Sequence, residues 1–333
     1  MHRDFALVLN AAKLKLEAFQ IRSGEKVAIL ASSATLPILV DAYYSASVIL
    51  GAEVVLLMYR ARQPMSELPP FMVPMLGEVD AVVDLHSLSW SYSQSLHDFY
   101  RMRKARNIRY RAMHLWGDEE SELHALLNCP PNEEVMQRSL RAQKLIDVAK
   151  TIRVTSNLGT DFQVARGDRP SVAPEGEVAF FPPDDSANGV IRFIGGVRTI
   201  GPTTLTKIIY APVAMRVEGG RIVEIEEKTA DSVMLNMWFR SVRDPLIYQI
   251  AHVNLCVDHR MLVYNRDDFA VHVSYGGILI GVGANASPGI GGTIRARGHV
   301  EMQLVEADYW IDGNCIMKAG EFTVESGLRA PGR

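Results

Sequence analysis

The chain has 333 residues, 48% apolar and 22% charged; it is long enough for two domains or one large α/β unit and able to bury a core. A net charge of −3 and a pI near 6.3 give no global field for nucleic acid or an anionic membrane. No window reaches the roughly 18 consecutive apolar residues of a membrane span, the N-terminus lacks the apolar core of a signal peptide, and three scattered cysteines exclude a disulfide framework or structural zinc, so a cytoplasmic protein is expected.

Residues 5–19 carry apolar side chains at helical spacing, ended by Ser23 and Gly24. Residues 26–30 read as a buried strand. A helix follows over 37–50, with Pro37 in the first turn, where its missing N–H costs nothing. Residues 53–58 and 79–85 read as strands, 91–105 as a helix, 108–115 as a fourth strand and 132–150 as a long linking helix. Strands separated by helices imply a parallel, helix-covered sheet with right-handed crossovers. The segment Ala31-Ser32-Ser33-Ala34-Thr35 after the first strand matches no phosphate-binding glycine pattern, so nucleotide binding gains little support.

Glycine usage divides the sequence. Residues 1–150 hold Gly24, Gly51, Gly77 and Gly117, and the remaining 21 fall after residue 150. Glycine-rich sequence belongs to turn-dense, strand-dense structure, which places a boundary near 150. Strands are expected over 152–156, 161–165, 176–181, 190–193, 206–210 and 214–217. Gly219-Gly220 then turns a hairpin into 221–226. Residues 229–241 read as a helix, and sheet and loops follow. The reading is an α/β domain with a parallel sheet over 1–150 and a strand-rich α+β domain over 151–333.

Four of the nine histidines, His252, His259, His272 and His299, fall in the second half. His299 and Glu301 are two apart in a strand-like run, so both side chains leave the same face and one ion could be held by both. His252 lies in another apolar run. Two histidines and a carboxylate form the facial set that leaves positions open on iron(II), yet hydrogen-bonded core histidines would show the same spacing, and both readings stand. Glu177, at the head of a hydrophobic strand, could act as a ligand or as a base, but its residues alone favour a solvated charge beside a turn. Arg101, Arg103, Lys104, Arg106, Arg109 and Arg111 form the one basic cluster. It is expected to cover a helix face or an oligomer contact, with no nucleic-acid partner.

Larger motifs surround these residues. They are Pro174-x-Gly176-Glu177-Val178, followed by Pro183 and Asn188-Gly189-Val190; Ile250-Ala251-His252; Gly291-Gly292-Thr293-Ile294; and His299-x-Glu301 with Ile311-Asp312-Gly313 and Gly320-Glu321-Phe322. Together they resemble the 2,5-dihydroxypyridine 5,6-dioxygenase family, which is related to the aminopeptidase T-like metallopeptidases. The resemblance implies a metal-binding catalytic second domain with one iron(II) per chain held by His252, His299 and Glu301. It implies ring cleavage of a hydroxylated aromatic by O2, in a homo-oligomer that binds no membrane. Glu177 is then the acid/base, Arg295 an anchor for a substrate anion, and Asn188 and Tyr92 substrate contacts.

Three departures are visible. Glu301 stands where the family has aspartate, one methylene shorter. Arg295 stands where the peptidases carry a histidine for a second metal, and a guanidinium offers no lone pair. Residues 253–260 lack the family's glycine-rich continuation. The alternative reading is a zinc or cobalt peptidase of the aminopeptidase T type, which requires two metals. A third is a binding protein that has kept the fold and lost the ion.

Overall fold

The computed structural model describes residues 2–60, 65, 67–85, 90, 92–106, 112–114, 119–261, 274–286 and 291–332. Contacts divide the chain into two compact units, Met1–Asn132 and Glu133–Arg333. The division falls ahead of the boundary near 150 read from glycine usage. The helix that follows it packs with the second unit, where Arg138 Nη1 donates to the Val257 carbonyl at 3.0 Å and Ser139 Oγ accepts from Gly176 N at 2.9 Å.

The first unit alternates helix and strand: α1 (His2–Ala18), β1 (Lys26–Ser32), α2 (Pro37–Ile49), β2 (Glu53–Tyr59), α3 (Met72–Leu76), β3 (Ala81–Asp84), α4 (Gln94–Ala105), β4 (Ala112–His114) and α5 (Glu119–Asn128). The four strands run parallel in the order β2-β1-β3-β4. β1 shows why its sequence is continuously apolar. Val27, Ile29 and Ala31 enter one core cluster with Val8, Leu16 and Tyr43. Ala28 and Leu30 enter another with Met72, Trp90 and Phe99. A strand covered on both faces needs apolar residues at every position. The periodicity reading passes over α3 and α5. It also starts α4 too early: Ser93 caps that helix by accepting from Leu96 N at 3.2 Å.

The second unit opens with α6 (Glu133–Asp147), then β5 (Thr151–Ser156), β6 (Asp161–Ala165), β7 (Glu177–Phe180), β8 (Asn188–Ile200), β9 (Leu205–Glu218) and β10 (Arg221–Ile225). After α7 (Ala230–Val242) come β11 (Ile250–Cys256), β12 (Ile278–Gly283), β13 (His299–Leu304), β14 (Ala307–Ile311), β15 (Asn314–Lys318) and β16 (Glu321–Phe322). These strands form one 12-stranded sheet. The expected hairpin is present, with Glu218 opposite Arg221 across Gly219 and Gly220. The two short strands expected over 206–217 are one strand, β9. Its ladder with β8 is interrupted between Phe193 and Gly195, so Pro212, which has no N–H to donate, sits where no ladder bond is lost.

α7 begins with a reciprocal cap. Thr229 Oγ1 accepts from Ser232 N, and Ser232 Oγ accepts from Thr229 N, which satisfies two amides that a helix start leaves open. Its Leu235, Phe239 and Val242 join Ala142 and Ile146 of α6 in the main core, packed on Val253, Leu255, Ile280, Val282, Val300 and Met302. β11, β12 and β13 are nevertheless buried at every position, so their other face is covered too. Among the described residues, no helix is long and apolar enough to cross a membrane.

Candidate metal centre

Three neighbouring antiparallel strands place the site. His252 of β11 is opposite Gly281 of β12, which is opposite Glu301 of β13, and His299 is opposite Gly283. Side chains alternate between faces along a strand. With Val253, Ile280, Val300 and Met302 committed to the core, the histidines, the glycines and Glu301 share the opposite face. A bulge between Ile250 and His252 interrupts the β11 ladder, an irregularity of the kind that re-aims a side chain. β12 carries no side chain at Gly281 or Gly283, so the His252 ring leans over it toward β13. A Cβ on Gly281 would lie 2.1 Å from His252 Nε2. Glycine is needed here for the close approach of a neighbour.

The donor atoms converge. His252 Nε2 and His299 Nε2 are 3.1 Å apart, and Glu301 Oε1 lies 3.5 Å from the second and 3.9 Å from the first. The centre of a triangle with those edges is about 2 Å from each corner, the length of a bond from a first-row dication to nitrogen or oxygen. All three side chains are buried. Two imidazole nitrogens facing each other at 3.1 Å repel through their lone pairs unless a proton or a cation lies between them. Among the described residues this is the one group of three or more His, Cys, Asp and Glu side chains close enough to share an ion.

A second layer stands behind the first. His252 Nδ1 lies 2.8 Å from Asn254 Oδ1, and Asn254 Nδ2 donates to Glu177 Oε2 at 2.9 Å. Glu177 heads β7 opposite Cys256, buried and outside the converging trio. Burial first, then the charges of Glu177 and Glu301, push the Cys256 thiol well above its ordinary value, so it stays protonated and is a poor ligand. The Phe181 ring meets His252 edge-on at 5.9 Å. Buried Arg198 is opposite Glu301 across the β8–β13 pair.

The family model described as 2,5-dihydroxypyridine 5,6-dioxygenase matches residues 8–324. The chain belongs to that family. The 2,5-dihydroxypyridine 5,6-dioxygenase of Pseudomonas putida strain KT2440 is 25% identical over 224 residues, 60% of this chain and 62% of that protein. The match therefore spans less than two thirds of the relative's length. The solved 2,5-dihydroxypyridine dioxygenase from Pseudomonas putida KT2440 superposes with a TM-score of 0.78 at 20% identity, covering 96% of this chain and 98% of that one. Wild-type AmpT from Thermus thermophilus gives 0.64 at 13% identity, over 96% and 99%. At those identities the likeness is one of fold.

The other residues singled out in this dioxygenase-family chain each have their own setting. Asn188 heads β8. It is exposed at the start of β8, about 30 Å of extended strand from Arg198, and it holds the hairpin: Oδ1 accepts from Gly219 N at 2.9 Å and Nδ2 donates to the Ser186 carbonyl at 3.3 Å. Tyr92 belongs to the first unit, in a turn at φ 60 ahead of α4, and does not open that helix. Arg295 is exposed in a stretch tied to β11, where Asn285 donates to the Ala251 carbonyl at 3.0 Å and accepts from Ile294 N at 2.8 Å. His259 Nδ1 is 2.9 Å from Arg138 Nη1; burial and then that guanidinium lower its pKa. His272 lies outside the described residues. Asn254 and Gly281 were missed by motif reading. The two-residue step from His252 to Asn254 was the available signal for the first, and the second depends on strand register.

Proposed function

We propose that this chain is a mononuclear non-haem iron(II) dioxygenase that opens the ring of a hydroxylated heteroaromatic such as a dihydroxypyridine. The observation that carries the reading is the convergence of His252, His299 and Glu301 in a member of this family. These three residues would hold the ion, and two imidazoles with one carboxylate suit iron(II) with positions left open. Arg295, where a two-metal peptidase needs a histidine, argues for a single ion. When bound, iron(II) supplies a Lewis acid for the substrate hydroxyl and a route for electrons from the ring to O2.

The chain's own residues supply the rest. Glu177 takes the proton of the substrate hydroxyl and returns a proton as the ring opens. Arg295 anchors a substrate anion with its planar fork of donors. The buried face excludes bulk water, so charge developing there is felt more strongly. Both atoms of O2 enter the product and one ring bond breaks.

Protein purified without chelator or oxygen is expected to carry one equivalent of iron per chain. It should take up O2 with at least one member of a panel of hydroxypyridines and hydroxybenzoates. Two tightly bound zinc ions with peptide hydrolysis, and no O2 uptake, would replace this reading with the metallopeptidase one.

A further inference from the structure

We propose that Asn254 is a positioning residue that fixes the tautomer of His252 by reading the direction of hydrogen bonding from Glu177. The inference rests on the metal-centre reading above and goes beyond it, to how the free protein prepares the imidazole.

The logic follows from donors and acceptors. A carboxylate oxygen only accepts. The Asn254 atom that faces Glu177 Oε2 at 2.9 Å is therefore its NH2 group. That leaves the amide oxygen facing His252 Nδ1 at 2.8 Å. An amide oxygen also only accepts, so His252 Nδ1 must carry the hydrogen. A neutral imidazole has one N–H, so Nε2 keeps its lone pair, and Nε2 is the atom aimed at His299 and Glu301. Glu177, Asn254 and His252 thus form a chain with only one permitted sense, and that sense presents the ligating lone pair before any ion arrives. All three members are buried, so water does not compete to reverse it. Partners of this kind fix ring orientation and tautomer at metal-binding histidines.

The chain also explains why the backing group is an acid and not an amide. A glutamine at 177 could accept from Asn254 or donate to it. If it donated, the Asn254 amide would turn round and Nε2 would carry the hydrogen.

The test uses metal-free full-length protein with isotope-labelled histidine, long-range proton–nitrogen correlation spectra, and titration with Co(II) alone. His252 signals are identified by their loss in His252→Gln. In the wild type His252 is expected in the Nδ1–H form. Asn254→Ser and Asn254→Leu should shift it toward the Nε2–H form and weaken Co(II) binding by about 10- to 100-fold, the usual effect of removing such a partner. Glu177→Leu should do the same. Glu177→Gln should give a mixture of both forms and lose only about 2-fold in Co(II) affinity, because about half the population remains competent. Circular dichroism and melting curves verify folding, and the serine variant carries the test if the leucine variant fails to fold.

Unchanged tautomer and Co(II) affinity in the Asn254 variants would overturn the proposal. So would a His252 tautomer indifferent to Glu177→Gln and Glu177→Leu. Wild-type protein that binds no Co(II) would instead remove the metal-centre reading itself.

Discussion

In the first unit the buried carboxylate of Glu122 receives the Lys15 ammonium at 2.7 and 2.8 Å and the Tyr43 hydroxyl, and Asp84 accepts from Trp90 Nε1 at 2.7 Å. In the second unit buried His252 and His299 turn their Nε2 atoms toward each other and toward the Glu301 carboxylate. Both arrangements are deep and polar, and burial alone does not distinguish them. What differs is the sense of the partners. Donors meet acceptors around Glu122, a set complete within the protein, as buried polar groups require. Around His252 three atoms capable of donating a lone pair meet one another, a set completed by a proton or an added cation. The difference teaches that a candidate ion site is recognised by a mismatch of like with like.

Glu177→Gln tests the second arrangement most severely. Turnover is expected to fall by about 10²-fold, the weight of a positioned acid/base, while iron per chain stays at the wild-type level. Steady-state kinetics together with metal analysis check both halves, and unchanged turnover would leave Glu177 with a structural role alone. Gly281→Ala comes next. Its Cβ would meet His252 Nε2 at 2.1 Å, so the ring must move, at an overpacking cost of about 1–3 kcal/mol. Denaturant melts should register that cost and metal content should fall with it; a variant that keeps both would show that the ring has room elsewhere.

Tyr43→Phe, in the first unit, should cost about 1 kcal/mol for a lost buried hydrogen bond and leave metal content and turnover unchanged. Its pH dependence sharpens the contrast. Burial first, then the charge of Glu122, hold the Tyr43 hydroxyl well above its ordinary value. A raised folded pKa gives stability that is complete below the unfolded phenol value of about 10 and is lost as pH rises through the higher folded value. Alkaline melting curves of wild type and Tyr43→Phe should therefore converge. A gap that persists would mean that the hydroxyl contributes nothing through its proton.

Much of the first unit could be read from periodicity, because β1 is apolar at every position and α2 opens on Pro37. α3 escaped because five residues containing Pro74 are too few to show a period. In the second unit the step from His299 to Glu301 could be read as one face of a strand, since alternation is local. β8 and β9 were read too short: Gly195, Gly196 and Pro212 look like breakers, yet Gly195 and Pro212 lie at the irregular pairing between the two strands. The placement of Asn188 could not be read for a related reason. A motif reports order along the chain, and one long strand carries its start far from its end. Gly281 could not have been singled out at all, since its importance depends on which strands lie on either side.

The order of these strands also bears on how the protein is made. His252 and His299 are 47 positions apart, and neither touches the other unless β12 has already docked between their strands. A chain emerging from the ribosome presents its first imidazole well before its second and before Glu301. Until the third of these strands is released and seated, loose histidines and acids offer only weak, indiscriminate metal binding. If the three side chains hold an ion as proposed, its selection falls to the finished fold, whose contacts are long-range and slow to form. Under the proposed metal-centre reading, ion binding and the completion of this part of the fold become one linked equilibrium.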